Sequence, residues 1–339
     1  MVLALDLSKL ELGRRIMTKY HRWLHYLAIL TVLTALPLLL LGAEVTSRQA
    51  GMVDAQGLRL PWHIALLHNL RDYGPAYIIE HTHRVCGWLV GLFSIGLAIG
   101  FWRTEPHGSA RRWLGIAALG AVLLQGVLGI FRVSLNAWFG PQFAFVHGCV
   151  AQLVFALLVT VAVVSSRSWV TPTQTLPAAD TLPLRRWSLY TAVLVFLQIL
   201  LGAIVRRTFV PWGPRLHVLF AFVVAGAILW LAWTALESPA RDRSLVRGVG
   251  LLGGLLVLQL MLGMESWLAK FWIPEMQHYE MYTQLKPLLV HGEGIRSLHY
   301  LVGSLLFAST VAVTVQAHRR TSWAVQPATE PIGHLEGVV

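Results

Sequence analysis

Apolar residues run along this chain in long stretches separated by short charged or turn-forming segments. A segment that crosses hydrocarbon must satisfy its backbone N–H and C=O groups from within, and about 20 mostly apolar residues achieve this as one helix. The pattern predicts eight spans, at about 22–43, 76–101, 113–133, 142–165, 187–207, 214–236, 247–269 and 295–317. Little chain is left for a soluble domain, so the expected fold is an all-α polytopic membrane protein.

Composition agrees: of 339 residues, 56% are hydrophobic and only 13% charged. The net charge of +11 would suit nucleic acid in a soluble protein, but in a polytopic one the sidedness of Lys and Arg carries the information. With the N-terminus inside, most of the 27 Lys and Arg fall on the cytoplasmic side, and an even number of spans returns the C-terminus there. The expectation is a bacterial plasma (inner) membrane protein with both termini cytoplasmic and no nucleic-acid partner. Asp6 and Glu11 interrupt the N-terminal stretch, so no removable signal peptide is expected. Cys86 and Cys149 both fall inside predicted spans, which implies no disulfide framework.

Internal repetition adds an organisation. LLQGVLG (123–129) and VLQLMLG (257–263) share the frame Q-x-x-x-G, and LLGAEV (40–45) matches LLGAIV (200–205). The step from His83 to His217 equals the step from Gly129 to Gly263. Eight helices therefore read as four used twice: two pseudo-symmetric four-helix bundles, residues 1–170 and 171–339. Extra residues fall between the first two helices of the first half and the last two of the second.

The chemistry lies in histidines at matched depth. Of 14 in the chain, His83, His147, His217 and His299 each sit near the outer start of an even-numbered helix. One buried histidine in a membrane is ordinarily a polar side chain bonded to a neighbouring helix, whereas four at corresponding positions suit metal ligation. Two facing imidazoles in a bundle can hold heme iron; a zinc site would want thiolates or closely spaced ligands. His81 points about 200° away from His83 on a helix and is left out, with the loop residues His63, His68 and His278. Arg206, Arg207, Arg215 and Arg296 gather near the second pair, where they could meet anionic propionates or simply face solvent. Glu80, three residues before His83, shares its face; the corresponding positions before His217 and His299 are Pro214 and Arg296. It either pairs with Arg84 or takes part in proton-coupled chemistry confined to one half.

EHTHR (80–84), LLQGVLGIFRV with VHGCVAQLVFALLV, and LQLMLGMESWLAKF with IRSLHYLVGSLL resemble the heme A synthase family along most of the chain. That resemblance implies an oxidoreductase that converts the C8 methyl of heme O to the formyl group of heme A, through an alcohol. It further implies that His83 and His147 belong to the heme O pocket with Glu80 as catalytic carboxylate. His217 and His299 would ligate a permanent heme b that passes electrons. Besides heme O and the lipid membrane, the candidate partners are a heme O synthase, cytochrome oxidase subunits and a second copy of the chain. Residues 43–75 depart from the family pattern in carrying no cysteine. The rival classes are a diheme electron-transfer cytochrome and a heme carrier or assembly factor.

Overall fold

The computed structural model describes residues 19–48, 50, 74–134, 138, 142–171, 176–207, 210–272, 281–319 and 321–322; the side chains of 178, 207, 281–291 and 321–322 lie outside the description. Eight helices within it are long and apolar enough to cross a membrane. They are α1 (Arg22–Ser47), α2 (Pro75–Thr104), α3 (Ala110–Ser134), α4 (Gln142–Ser165), α5 (Ala178–Arg207), α6 (Gly213–Glu237), α7 (Arg243–Trp267) and α8 (Met281–Arg319). A four-residue helical turn, Arg167–Val170, follows α4, and a π-turn, Leu268–Trp272, prolongs α7.

Every predicted span is a helix. The main differences are at two N-termini: α5 and α8 begin well before the apolar stretches that announce them. A helix needs apolar side chains only where lipid surrounds it, so hydropathy marks the hydrocarbon boundary rather than the end of the helix. In α8 part of the extra sequence of the second half enters as added helical turns.

Helices α1 to α4 close into one ring of neighbours and α5 to α8 into another. The rings join along α4 and α8, with α1 also against α8 and α4 also against α5. Accordingly α4 and α8 are the most buried helices, contributing Phe155, Leu158 and Val161 from one and Phe307, Val313 and Ala317 from the other. Outer faces expose Leu219, Phe222 and Leu229 on α6 and Leu123 and Leu124 on α3, as lipid contact requires. Because lipid tails are as apolar as leucine, helix association here rests on close fit rather than on removal from water. At Gly100 a Cβ would stand only 2.4 Å from Leu24 Cδ2 and from Trp23 Cη2, so this glycine sets how near α2 lies to α1.

Strand structure among the described residues is confined to a parallel pairing of β1 (Leu176–Pro177) with β2 (Thr321–Ser322). It ties the connection between the halves to the end of α8. Arg319 supports the same junction, donating from Nη2 to the carbonyls of Trp169 and Thr171.

The end of the bundle away from the four histidines is fastened by a buried ion pair. Arg111, at the start of α3, pairs with Glu105 and also donates to the carbonyls of Val164 and Lys19, each at 3.3 Å. Ser109 Oγ donates to Glu105 Oε2 at 3.0 Å. Removing one partner of such a pair leaves a buried charge uncompensated. Arg111→Met is expected to lower stability by about 3–5 kcal/mol, seen as a lower apparent melting temperature in detergent. Arg111→Met combined with Glu105→Leu is expected to recover most of the loss.

Candidate functional site

The four histidines occupy one kind of seat. Each projects from an even-numbered helix and turns an edge of its ring toward a glycine of the preceding helix. A Cβ would stand 2.9 Å from His83 Cε1 at Gly42, 3.3 Å from His147 Cε1 at Gly129, 3.1 Å from His217 Cε1 at Gly202 and 3.1 Å from His299 Cε1 at Gly263. Any larger residue would push the ring away, so these glycines serve side-chain access rather than backbone conformation. Proline in the first turn of α2 and of α6 starts each helix abruptly, and places His83 and His217 at a fixed rise from the helix end.

One turn before three of these glycines stands a glutamine. Gln125 Nε2 donates to the carbonyl of His147 at 2.9 Å and lies 3.2 Å from its Nδ1. Gln198 Nε2 donates to the carbonyl of His217 at 2.9 Å, and Gln259 Nε2 lies 3.4 Å from His299 Nε2. On α1 the equivalent residue is Leu38, whose carbonyl is 3.0 Å from His83 Nδ1. The Q-x-x-x-G frame therefore occurs in α5 as well as in α3 and α7, a signal present in the string from Gln198 to Gly202 that sequence reading passed over.

His217 and His299 face each other with ring centroids 6.3 Å apart and planes at 85°. This separation can be tested against a metal held between the rings. A metal–nitrogen bond of about 2 Å on each side, plus about 1.1 Å from each nitrogen to its own ring centre, gives about 6.2 Å, close to the separation found. The donor set fits a porphyrin iron that needs two axial imidazoles. The Nδ1 atoms of both rings are buried without a hydrogen bond, which leaves on each ring a polar nitrogen that a ligand would satisfy. A bare zinc ion would want at least three protein ligands, and among the described residues no such group of His, Cys, Asp or Glu is assembled.

In the first half, Glu80 is buried and accepts from Arg84 Nη2 at 2.7 Å, so the pairing expected of it with Arg84 is present. The same carboxylate lies one turn from His83. Arg132, which sequence reading did not select, comes within electrostatic reach of Glu80, Arg84 and His83. His81 packs against Tyr77, rings stacked at 5.7 Å, away from the His83 seat.

The arginines separate. Arg206 Nη2 donates to the carbonyl of Ala43 at 2.5 Å and to Ser47 Oγ at 2.7 Å, crossing from α5 to the end of α1, and its guanidinium lies 5.4 Å from the Tyr300 ring centre. Arg296 and Lys270 share its electrostatic surroundings, and Arg206 also acts on His299. Lys270, another residue absent from the predicted set, donates to the carbonyl of Val205 at 3.0 Å. Arg215 is exposed on α6, two residues before His217 and on another face. The side chain of Arg207 lies outside the described residues, as do His63, His68 and His278. A cavity of about 360 Å³ lined by His25, Asp242, Gln316 and Arg319 lies at the opposite end, remote from the four histidines.

The family model described as cytochrome oxidase assembly protein matches residues 63–209, a segment that includes Glu80, His83, His147 and Arg206. The heme A synthase of Symbiobacterium thermophilum is 30% identical over 228 residues, covering 59% of this chain and 72% of that one. The chain belongs to the heme A synthase family. The heme A synthase of Geobacillus kaustophilus is 26% identical over 248 residues, covering 66% of this chain and 74% of its own. That of Shouchella clausii is 31% identical over 110 residues, or 32% of this chain and 35% of its own.

The glycine seats give a graded test. Gly42→Ala puts a Cβ inside the 3.0 Å limit and forces His83 to move, whereas at Gly129 the neighbour must yield only slightly. Heme bound per chain, read from the Soret absorbance of purified protein, is expected to fall most for Gly42→Ala and least for Gly129→Ala, with Gly202→Ala and Gly263→Ala between them.

Proposed function

We propose that this chain is an oxidoreductase converting heme O to heme A. The observation that carries the reading is the asymmetry between the halves. All four histidines share one kind of seat, but only His83 has a buried carboxylate one turn away, Glu80; Pro214 and Arg296 take its place before His217 and His299. Two electron-carrying halves would need no such group in one of them alone.

In this reading the first half, residues 1–170, binds heme O between His83 and His147. Their ligation fixes the orientation of the porphyrin, so that its C8 methyl is presented consistently to the reacting groups. Oxidation proceeds in two steps: the methyl takes up the oxygen of a water and loses an electron pair and two protons to give the alcohol, and the alcohol then loses a second electron pair and two protons to give the aldehyde, the electrons leaving to an external oxidant. Glu80, held on the His83 face by Arg84, accepts or relays those protons. The second half, residues 171–339, holds heme b between His217 and His299, and that group, when bound, supplies a carrier of single electrons. Arg206 and Arg296, with Lys270, form the cationic surroundings for propionates. Arg215 and Arg207 complete the basic end of α5 and α6. The positive-inside bias places both termini in the cytoplasm and the histidine end toward the outer face of a bacterial plasma membrane. Heme O synthase and cytochrome oxidase subunits are its partners in this reading, as source and destination of the porphyrin.

Extraction and chromatography of hemes from cells that supply heme O decides the matter. Cells with the intact chain are expected to accumulate heme A. Glu80→Gln is expected to keep its bound heme while heme A falls by at least about a hundredfold, the scale of a lost general base. No heme A from the intact chain would leave only an electron-transfer cytochrome or a carrier, and unchanged heme A in Glu80→Gln would remove the carboxylate from the reaction. Separately, His217→Ala is expected to lose heme b together with its low-spin bis-imidazole signal in electron paramagnetic resonance, while Arg215→Ala keeps both.

A further inference from the structure

Each helix that seats a histidine carries a stripe on one face: a residue one turn before the glycine, the glycine itself, and a residue one turn further toward the helix C-terminus. On α1 the stripe reads Leu38, Gly42, Val45; on α5 it reads Gln198, Gly202, Val205; on α7 it reads Gln259, Gly263, Ser266. On α3 it reads Gln125, Gly129, Arg132, and only there does it end in a charge. Ser266, the counterpart of Arg132 in the second half, satisfies itself, its Oγ donating to the Leu262 carbonyl at 2.7 Å. Arg132 makes no hydrogen bond or ion pair among the described residues.

Arg132 is nevertheless turned inward. Its neighbour Phe131 is exposed, while Arg132 is half-buried, within electrostatic reach of His83, Glu80 and Arg84 and of Arg206 from the second half. An arginine near the end of a membrane helix ordinarily snorkels to water. This one faces a single carboxylate, Glu80, which already accepts from Arg84 Nη2 at 2.7 Å. Positive charge is therefore in excess around the first pocket, and a cation drawn into a protein interior is tolerated where an anion meets it. The planar fork of a guanidinium suits a carboxylate, which it can bind through two parallel hydrogen bonds.

We propose that Arg132 binds one propionate of heme O, the one on the same pyrrole as the C8 methyl, and thereby sets that methyl beside Glu80. Within the proposed function, on which this assignment rests, the contact supplies an orientation that the histidines cannot. Paired imidazoles fix the plane of a porphyrin but leave it to turn about the iron–nitrogen axis, and a propionate held at the rim stops that rotation. In heme O the C8 methyl and a propionate occupy adjacent carbons of one pyrrole, so a cation close to Glu80 brings the reacting methyl to Glu80 as well. Ring methyls distant from the propionates are kept away. The second half oxidises nothing and has Ser266 at the equivalent position.

The test uses the full-length protein in detergent, with heme b in place and no external oxidant, titrated with heme O or with heme O dimethyl ester, whose propionates carry no charge. Binding is read from the Soret shift. Wild-type protein is expected to bind the ester about tenfold more weakly than heme O, the scale of one charge-assisted contact. Arg132→Gln is expected to weaken heme O binding about tenfold while leaving ester binding and heme b content unchanged, and Arg132→Lys to recover most of the heme O affinity. Equal wild-type affinity for heme O and ester would overturn the inference. So would an Arg132→Gln protein that binds heme O as wild type does, or that loses affinity for heme O and ester alike. If Arg132→Gln does not fold, the wild-type comparison and the same two titrations of Arg132→Lys still decide. An intact chain that binds heme O but yields no heme A once an oxidant is supplied would overturn the proposed function instead.

Discussion

The contact between an imidazole edge and a bare glycine Cα, made four times, is what the histidine end of this protein depends on. A polar ring inside a membrane costs free energy unless it finds partners, and a ring aimed at a metal position must also keep one nitrogen clear. Seating each ring over a glycine of the neighbouring helix meets the first demand, because the ring edge comes close to that helix and to its polar groups. The 6.3 Å spacing of His217 and His299 then follows from where four helices stand.

Against this shared frame, the halves differ most clearly around His83. Glu80 adds a buried carboxylate beside His83, and Leu38 removes an amide from the helix that seats it. The second half has no carboxylate one turn before its histidines, while its Gln198 bonds the backbone of His217 as Gln125 bonds that of His147 in the first.

Much of this was legible in the sequence, for definite reasons. Lipid imposes a length and a hydropathy on every span, so all eight helices announced themselves, and only the starts of α5 and α8, where the constraint lapses, went astray. The four histidines and Glu80 stood out because ionisable residues in such helices are rare. Lys270 and Arg132 did not, because cations near helix ends are common and only tertiary placement brings these two beside Arg206 and Glu80. Arg215 looked equivalent to Arg206 by proximity in sequence, but helical geometry turns it to another face. The interlock of Gln198 with His217 was readable in principle. It went unseen because a glutamine in a helix carries no meaning until its partner helix is known.

The packing also sets which of the four histidines can move independently. His147 and His299 ride on α4 and α8, the helices that join the two rings, whereas His83 and His217 ride on α2 and α6, which pack mainly against neighbours within their own ring. Each half therefore sets one of its two histidines on the central seam and the other on a peripheral strut. An outward tilt of α2 would carry His83 away without disturbing the seam or the second half. Movement at the first histidine is mechanically insulated from the other three.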